Sequence, residues 1–297
     1  MAATAPPLFE ALRWTEPGAE HAVLSSQPAA CLAYRSDDKP IVQAGHALFN
    51  TPTLLGGQAA KAGLACASCH VNGRDNLHFV IAGVSDKPGT ADVTNSFFSG
   101  AHGNGRFDPV QIPDLAVPGK ISHAPADKAL EPFIRGLIVD EFSGREPTPA
   151  MLGALAAYVR AIQSCSGGSK ALTPRKLEDQ LLIIRAAVDG SAAIAERGDP
   201  QVVRMLIAAA RHQLGLISER YAGAKLKRER ALLLEASRAL QLLDGKQQNP
   251  RQFASDIYDW TAHFETKVAA PLMATEDKSL YNPKLLATAL AASHKFR

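Results

Sequence analysis

Apolar positions in the C-terminal part of the chain recur at the spacing of one helical face. Phe253, Ile257, Trp260, Phe264 and Val268 follow at intervals of four, three, four and four residues, and Leu177, Leu181, Ile184 and Val188 behave alike. Residues three and four apart share a face of an α-helix, so each series marks a buried stripe. Four such helices with short Gly- or Asn-containing links predict an up-down bundle over residues 170–275, with a short helix after it.

Helix starts punctuate the same pattern. Thr148-Pro149, Thr173-Pro174, Asp199-Pro200, Asn249-Pro250 and Asn282-Pro283 each pair a capping side chain with Pro at the first helical position, and each is expected to open a helix. Upstream, helical pattern covers roughly 129–142 and 149–164. Residues 41–65 read as a helix, a turn at Gly56-Gly57 and a second short helix. Between these, residues 71–128 are dense in Gly, Pro, Asn, Asp and Ser, with no convincing helix or alternating strand. An irregular stretch of that length in a compact domain is expected to wrap something.

The chain therefore divides into an irregular arm (1–40), a domain with long loops (41–168) and a C-terminal helical domain (169–297), with the cut near Gly167-Gly168-Ser169. The fold class is mainly α. Its 297 residues, 46% of them apolar, suffice for one large core or two ordinary ones. A net charge of +3 gives no global argument for nucleic acid, although the charge is uneven. From Lys170 onward 20 Lys and Arg face 14 Asp and Glu, a net of +6; before it 12 face 15, a net of −3. No apolar run approaches the ~18 residues of a transmembrane helix.

The chemistry concentrates at CASCH, residues 66–70. In Cys-x-x-Cys-His one helical turn presents two thiols to the vinyl groups of a haem, and the next residue ligates iron from below. A zinc site would need a second Cys or His pair, and a thioredoxin-like motif would need a surrounding βαβ pattern; neither is evident. The expectation is one covalent haem c, with Cys66 and Cys69 as thioether attachments and His70 as proximal ligand.

Haem attachment of this kind takes place outside the cytoplasm, yet the N-terminus MAATAPPLFE has neither the basic nor the apolar region of a secretory signal. The expectation is a periplasmic protein whose signal has been removed. An oxidising compartment favours a disulfide between the other two cysteines, Cys31 and Cys165. Two free buried thiols are the alternative.

The run GHALFNTPTLLGGQAAKAGLACASCHVNGR (45–74) resembles the opening of a haem domain in the bacterial di-haem cytochrome c peroxidase and MauG-like superfamily. RFDPVQIPDL (106–115) resembles that family's segment leading to a Pro-x-Leu, and residues 129–163 resemble its closing helix pair. The likeness spans about residues 41–165 and implies a c-type cytochrome domain ahead of the helical bundle. Two departures limit it. Family enzymes carry two haems, whereas this chain has one motif. Where the family places Met or Tyr on the iron, this chain has Leu137.

Candidates for the sixth ligand are therefore the loop histidines His123 and His102, with His78 weaker. Met151, Met205 and Met273 read as packing residues. Arg74, Arg106 and Lys120 are candidates for pairing with the haem propionates, since a guanidinium matches a carboxylate in a bidentate way. Phe97, Phe98 and Phe107 are candidates to pack on the porphyrin or to fill the loop's own core. His212 and His263 read as ordinary helix residues, because the bundle contains no Glu-x-x-His pair. The run Lys225–Arg230 reads as a solvated helix start or a docking patch for an acidic partner.

Three functions follow in order. The first is electron transfer with a periplasmic redox protein. The second is peroxidase-like chemistry at an open distal side, with His123 or Glu131 as acid–base group. The third is a sensing or structural haem.

Overall fold

The computed structural model describes residues 9–294 except 118, 120, 125, 166–170, 196 and 197. It is mainly helical. In chain order it comprises α1 (Glu20–Ser25), β1 (Ser26–Pro28), α2 (Lys39–Phe49), α3 (Pro52–Leu55), α4 (Gly57–Ala62), α5 (Cys66–Cys69), β2 (His70–Val71), β3 (Arg74–Asp75), β4 (Thr90–Ala91), β5 (Val110–Gln111), α6 (Leu130–Gly136), α7 (Pro149–Ala161), β6 (Leu172–Pro174), α8 (Leu177–Ala195), α9 (Pro200–Arg220), α10 (Lys227–Asp244), α11 (Pro250–Phe264), α12 (Ala270–Met273) and α13 (Pro283–His294).

Helix α2 is the hub. Its buried face carries Val42, Ala44, Gly45, Ala47, Leu48 and Phe49. On one side it crosses α7 at Gly45, where any Cβ would run into the Ala154 carbonyl and the Tyr158 Cβ. On the other it packs on α8, where a Cβ at Gly190 would sit 3.4 Å from the Ala44 Cβ. Small residues let both neighbours approach the same helix. A single continuous core therefore runs from Leu48 and Tyr158 through Ile184 and Leu206 to Phe253. The cut expected at residues 167–169 lies outside the described residues, and the hydrophobic core does not divide there.

The expected tail helices are present. Helix α8 packs on α9, α9 on α10, α10 on α11, and α11 back on α8. Every residue of the two apolar series is buried, and each full burial of a Leu- or Phe-sized side chain contributes roughly 1.5–3 kcal/mol. Thr148, Asp199 and Asn249 cap their helices through the amides of Met151, Val202 and Gln252, as their pairing with Pro predicts. Thr173-Pro174 differs: it lies in β6, paired antiparallel with β1, and α8 begins only at Leu177. The N-terminal arm supplies a sheet partner that a local signal cannot reveal.

That arm is also tied by the Cys31–Cys165 disulfide, which closes 134 residues with a Cα–Cα distance of 5.4 Å. A small second core of Phe9, Leu24, Leu286 and Leu290 joins it to α13. Among the described residues of 71–128, extended pairing is limited to the short ladders β2–β3 and β4–β5 and to isolated bridges such as Thr15 with Phe79. Met151 is fully buried, Met205 accepts a hydrogen bond from Thr53 at 3.3 Å, and Met273, expected in the core, is 45% exposed at the end of α12.

Candidate cofactor site

The CASCH segment is built by local hydrogen bonds. Ser68 Oγ accepts from the Ala65 amide at 3.0 Å and opens the single turn α5. The Asn76 amide donates to the Cys69 carbonyl at 2.9 Å, and its side chain donates to the Ser68 carbonyl at 2.8 Å. A tight hairpin follows directly, with Asn72 and Gly73 at φ 52° and 77°. Positive φ at both central positions is the turn that Asn-Gly favours. Asn72-Gly73 was the sequence signal for this hairpin, and the expectation of an irregular 71–128 passed over it.

The hairpin delivers His70 to the segment Pro113–Leu115. His70 Nδ1 lies 3.0 Å from the Pro113 carbonyl oxygen. A carbonyl only accepts, so Nδ1 carries the proton and Nε2 carries the lone pair. Burial pushes the ring's pKa down to about 4, against smaller raising effects from that bond and Asp114, so His70 is neutral at pH 7. Cys66 and Cys69 are unpaired thiols one turn earlier. Burial pushes both up to about 12, which keeps them protonated and unlike the low-pKa thiols of disulfide exchange.

The Pro113 carbonyl is itself held. The Leu115 amide donates to the Gly73 carbonyl at 3.0 Å, and Arg74 Nη2 meets Asp114 Oδ2 at 2.5 Å with side chains only 3% and 9% exposed. Arg74 thus clasps the loop that orients His70. Arg74, a candidate for pairing with a haem propionate, here has its Nη2 on Asp114, while its buried Nε has no partner. Arg106 is exposed, and its amide, not its guanidinium, is the group bonded, to Asn104 Oδ1. Lys120 lies outside the described residues.

A chain of three rings leads away from His70, and neither composition nor spacing marks them in the sequence. The Phe49 ring is 6.4 Å from that of His70 and 5.1 Å from that of Tyr158. His46 stacks on the buried Tyr158 ring at 4.8 Å and 19°. Burial pushes His46 down to about 4 and raises the Tyr158 phenol. Positions 45, 46 and 49 are neighbours on one helix, but their common partner comes from α7, more than a hundred residues away.

The candidate sixth ligands differ in exposure and contacts. His123 has Nδ1 2.9 Å from the Arg160 carbonyl and Nε2 3.1 Å from that of Leu115. Its ring offers a metal no nitrogen without breaking one of these contacts. His102 is exposed, with its amide on Ser99 Oγ, and His78 pairs with Glu16 at 3.1 Å. Glu131 accepts from Arg160 at 2.8 and 2.9 Å, and this fork lowers its pKa, so it holds no proton to donate at neutral pH. Leu137, half-buried, begins a π-helical turn running to Glu141. Phe98 is buried and touches Phe142, whereas Phe97 and Phe107 are largely exposed. His212 pairs with Glu10 at 3.4 Å, and His263 is exposed.

Among the described residues, no three His, Cys, Asp or Glu side chains group to hold a metal, and no helix is long and apolar enough to cross a membrane. Compared with models of protein families, with curated proteins and with solved structures, the chain matches none.

Proposed function

We propose that the chain is a periplasmic mono-haem c-type cytochrome that exchanges single electrons with a periplasmic redox protein. In this reading a c-type cytochrome domain is followed by an up-down helical bundle. The observation that carries it is the hydrogen bond from His70 Nδ1 to the Pro113 carbonyl. It selects the tautomer whose Nε2 lone pair is free, immediately after a turn bearing two unpaired thiols. The residues fit the group: Cys66 and Cys69 would hold a haem through thioethers and His70 would ligate its iron. When bound, haem supplies the one-electron Fe(III)/Fe(II) couple.

The chain's own residues orient and insulate. Phe49 presents its ring beside His70, and the buried Tyr158 packs on Phe49. The Pro113 bond fixes the imidazole and raises its basicity, and the Arg74–Asp114 pair fixes Pro113. The Cys31–Cys165 bridge accords with an oxidising compartment.

Electron transfer stands ahead of peroxidase-like chemistry because neither acid–base candidate is free: Glu131 is clasped by Arg160 and both His123 nitrogens face carbonyls. The His123 contacts, with Leu137 where the domain this chain resembles carries Met or Tyr, favour one second reading, an open iron site for a small molecule.

Two measurements test this. The pyridine haemochrome of denatured protein, produced with the c-type maturation machinery, is expected to show haem that stays with the chain in the wild type and is lost in Cys66→Ala/Cys69→Ala. A wild type that retains none sinks both readings. A low-spin ferric EPR spectrum supports electron transfer, and a high-spin one with cyanide-sensitive absorbance moves the second reading to first place.

A further inference from the structure

A separate charged cluster lies where the N-terminal arm meets the start of α8, the end of α9 and the segment before α13. Arg220 is 7% exposed, donates from Nη1 to the Leu280 carbonyl at 3.1 Å, and lies over the rings of Phe9 and Tyr281 at 5.0 and 5.3 Å. Arg175 donates from Nε to the carbonyls of Val23 and Ser26 at 2.8 and 3.1 Å, and from Nη1 to Gln27 Oε1 at 2.9 Å. Every one of these partners is neutral. Among the described residues neither guanidinium has a carboxylate within ion-pair distance, and Nη2 of each makes no hydrogen bond.

Buried cations are ordinarily paired, because an uncompensated charge taken out of water is costly. Here Arg220 is buried and Arg175 is half-buried beside the arm, and burial and then Arg220 pull Arg175 down to about 10. The nearby carboxyls compensate poorly. Glu219 is pushed up to about 7 by burial, and Asp179 Oδ2 is taken by Gln27 Nε2 and the Lys176 amide. Neutral contacts on the inner nitrogens, with the outer ones open, are the arrangement of a site that receives its negative charge from outside.

We propose that this cluster binds a small oxyanion, a carboxylate or phosphate group, between Arg175 and Arg220. The planar fork of each guanidinium suits such a group. Because the two arginines hold the arm and the Leu280 segment, occupancy would fasten both ends of the chain to the bundle. The site is independent of the haem reading.

The test is calorimetric titration of the full-length holoprotein with inorganic phosphate and, separately, acetate, in chloride buffer at constant ionic strength. Saturable binding of either is expected, weakened at least tenfold in Arg175→Gln and unchanged in the surface control Arg228→Gln. Saturation by phosphate alone assigns a phosphoryl ligand, and by acetate alone a carboxylate. The melting temperature of the wild type, which needs no variant to fold, is expected to rise with the binding anion by mass action. No saturable binding of either anion, or equal binding in Arg175→Gln, overturns the proposal.

Discussion

Arg74 and Asp114 form an ion pair at 2.5 Å, almost wholly buried, that closes the hairpin after His70 onto the loop supplying its carbonyl acceptor. Removing one partner strands a charge in the interior. Asp114→Ala is expected to cost about 3–5 kcal/mol, and replacing both residues by apolar ones much less. Urea unfolding of the two variants checks this. If the single and double variants lose equal stability, the pair is not the clasp described.

The crossing of α2 and α7 permits no side chain at position 45, since a Cβ there meets the Ala154 backbone. Gly45→Ala is expected to force the helices apart and destabilise by about 1–3 kcal/mol, as overpacking does. Its effect should appear in thermal melts and as disturbed Tyr158 fluorescence or near-UV dichroism. Gly153→Ala, on the same helix pair but with open space around it, should be neutral by comparison.

The Cys31–Cys165 bridge spans 134 residues and joins the arm to the chain just beyond α7. Chain-entropy arguments assign a loop of that size on the order of 4–5 kcal/mol. Cys31→Ser/Cys165→Ser is expected to lower the urea midpoint accordingly, and reductant should then leave that variant unchanged while lowering the wild type.

Glu10 is pushed up to about 7 by burial and by Glu219, against Arg13. A carboxyl with a folded pKa above its unfolded value binds its proton more tightly in the native state, so its contribution is greatest below about pH 4.5 and declines as pH rises to about 7. Glu10→Gln removes that decline. Its stability relative to wild type is expected to climb between those two pH values, read from denaturation midpoints; a constant difference would refute the assignment. His212, depressed to about 4 by burial, contributes in the opposite sense and loses its Glu10 partner in the variant, so the comparison is read above pH 4.5, where His212 is neutral in the folded protein.

His46 is likewise held at about 4 by burial against Tyr158. A base that must lose its proton on folding destabilises the native state as pH falls below about 6.5, through its folded pKa. His46→Phe keeps the stack and should soften acid unfolding between pH 6.5 and 4, as followed by far-UV dichroism on an acid titration.

Much of this molecule is readable locally. Capping by Thr148, Asp199 and Asn249 involves amides three residues on, and the stripe from Phe253 to Val268 is a matter of helical period, so neighbouring letters suffice. The cysteines outside CASCH could pair only with each other if the motif thiols were committed, and they do pair. Other features depend on residues far away in the chain. Thr173-Pro174 has the letters of a helix start but is drawn into a sheet by β1. His123 has the chemistry of a metal ligand, yet the Arg160 and Leu115 carbonyls occupy both its nitrogens. Arg74 becomes a clasp only because Asp114 arrives beside it, and His46 matters only because α7 brings Tyr158 against it. Sequence alone determined most of the helices and the one-turn presentation of Cys66, Cys69 and His70, because those follow from contacts within a few residues. Tertiary structure decided what each polar side chain faces, because buried hydrogen bonds and charges are satisfied by whichever partner the fold brings within reach.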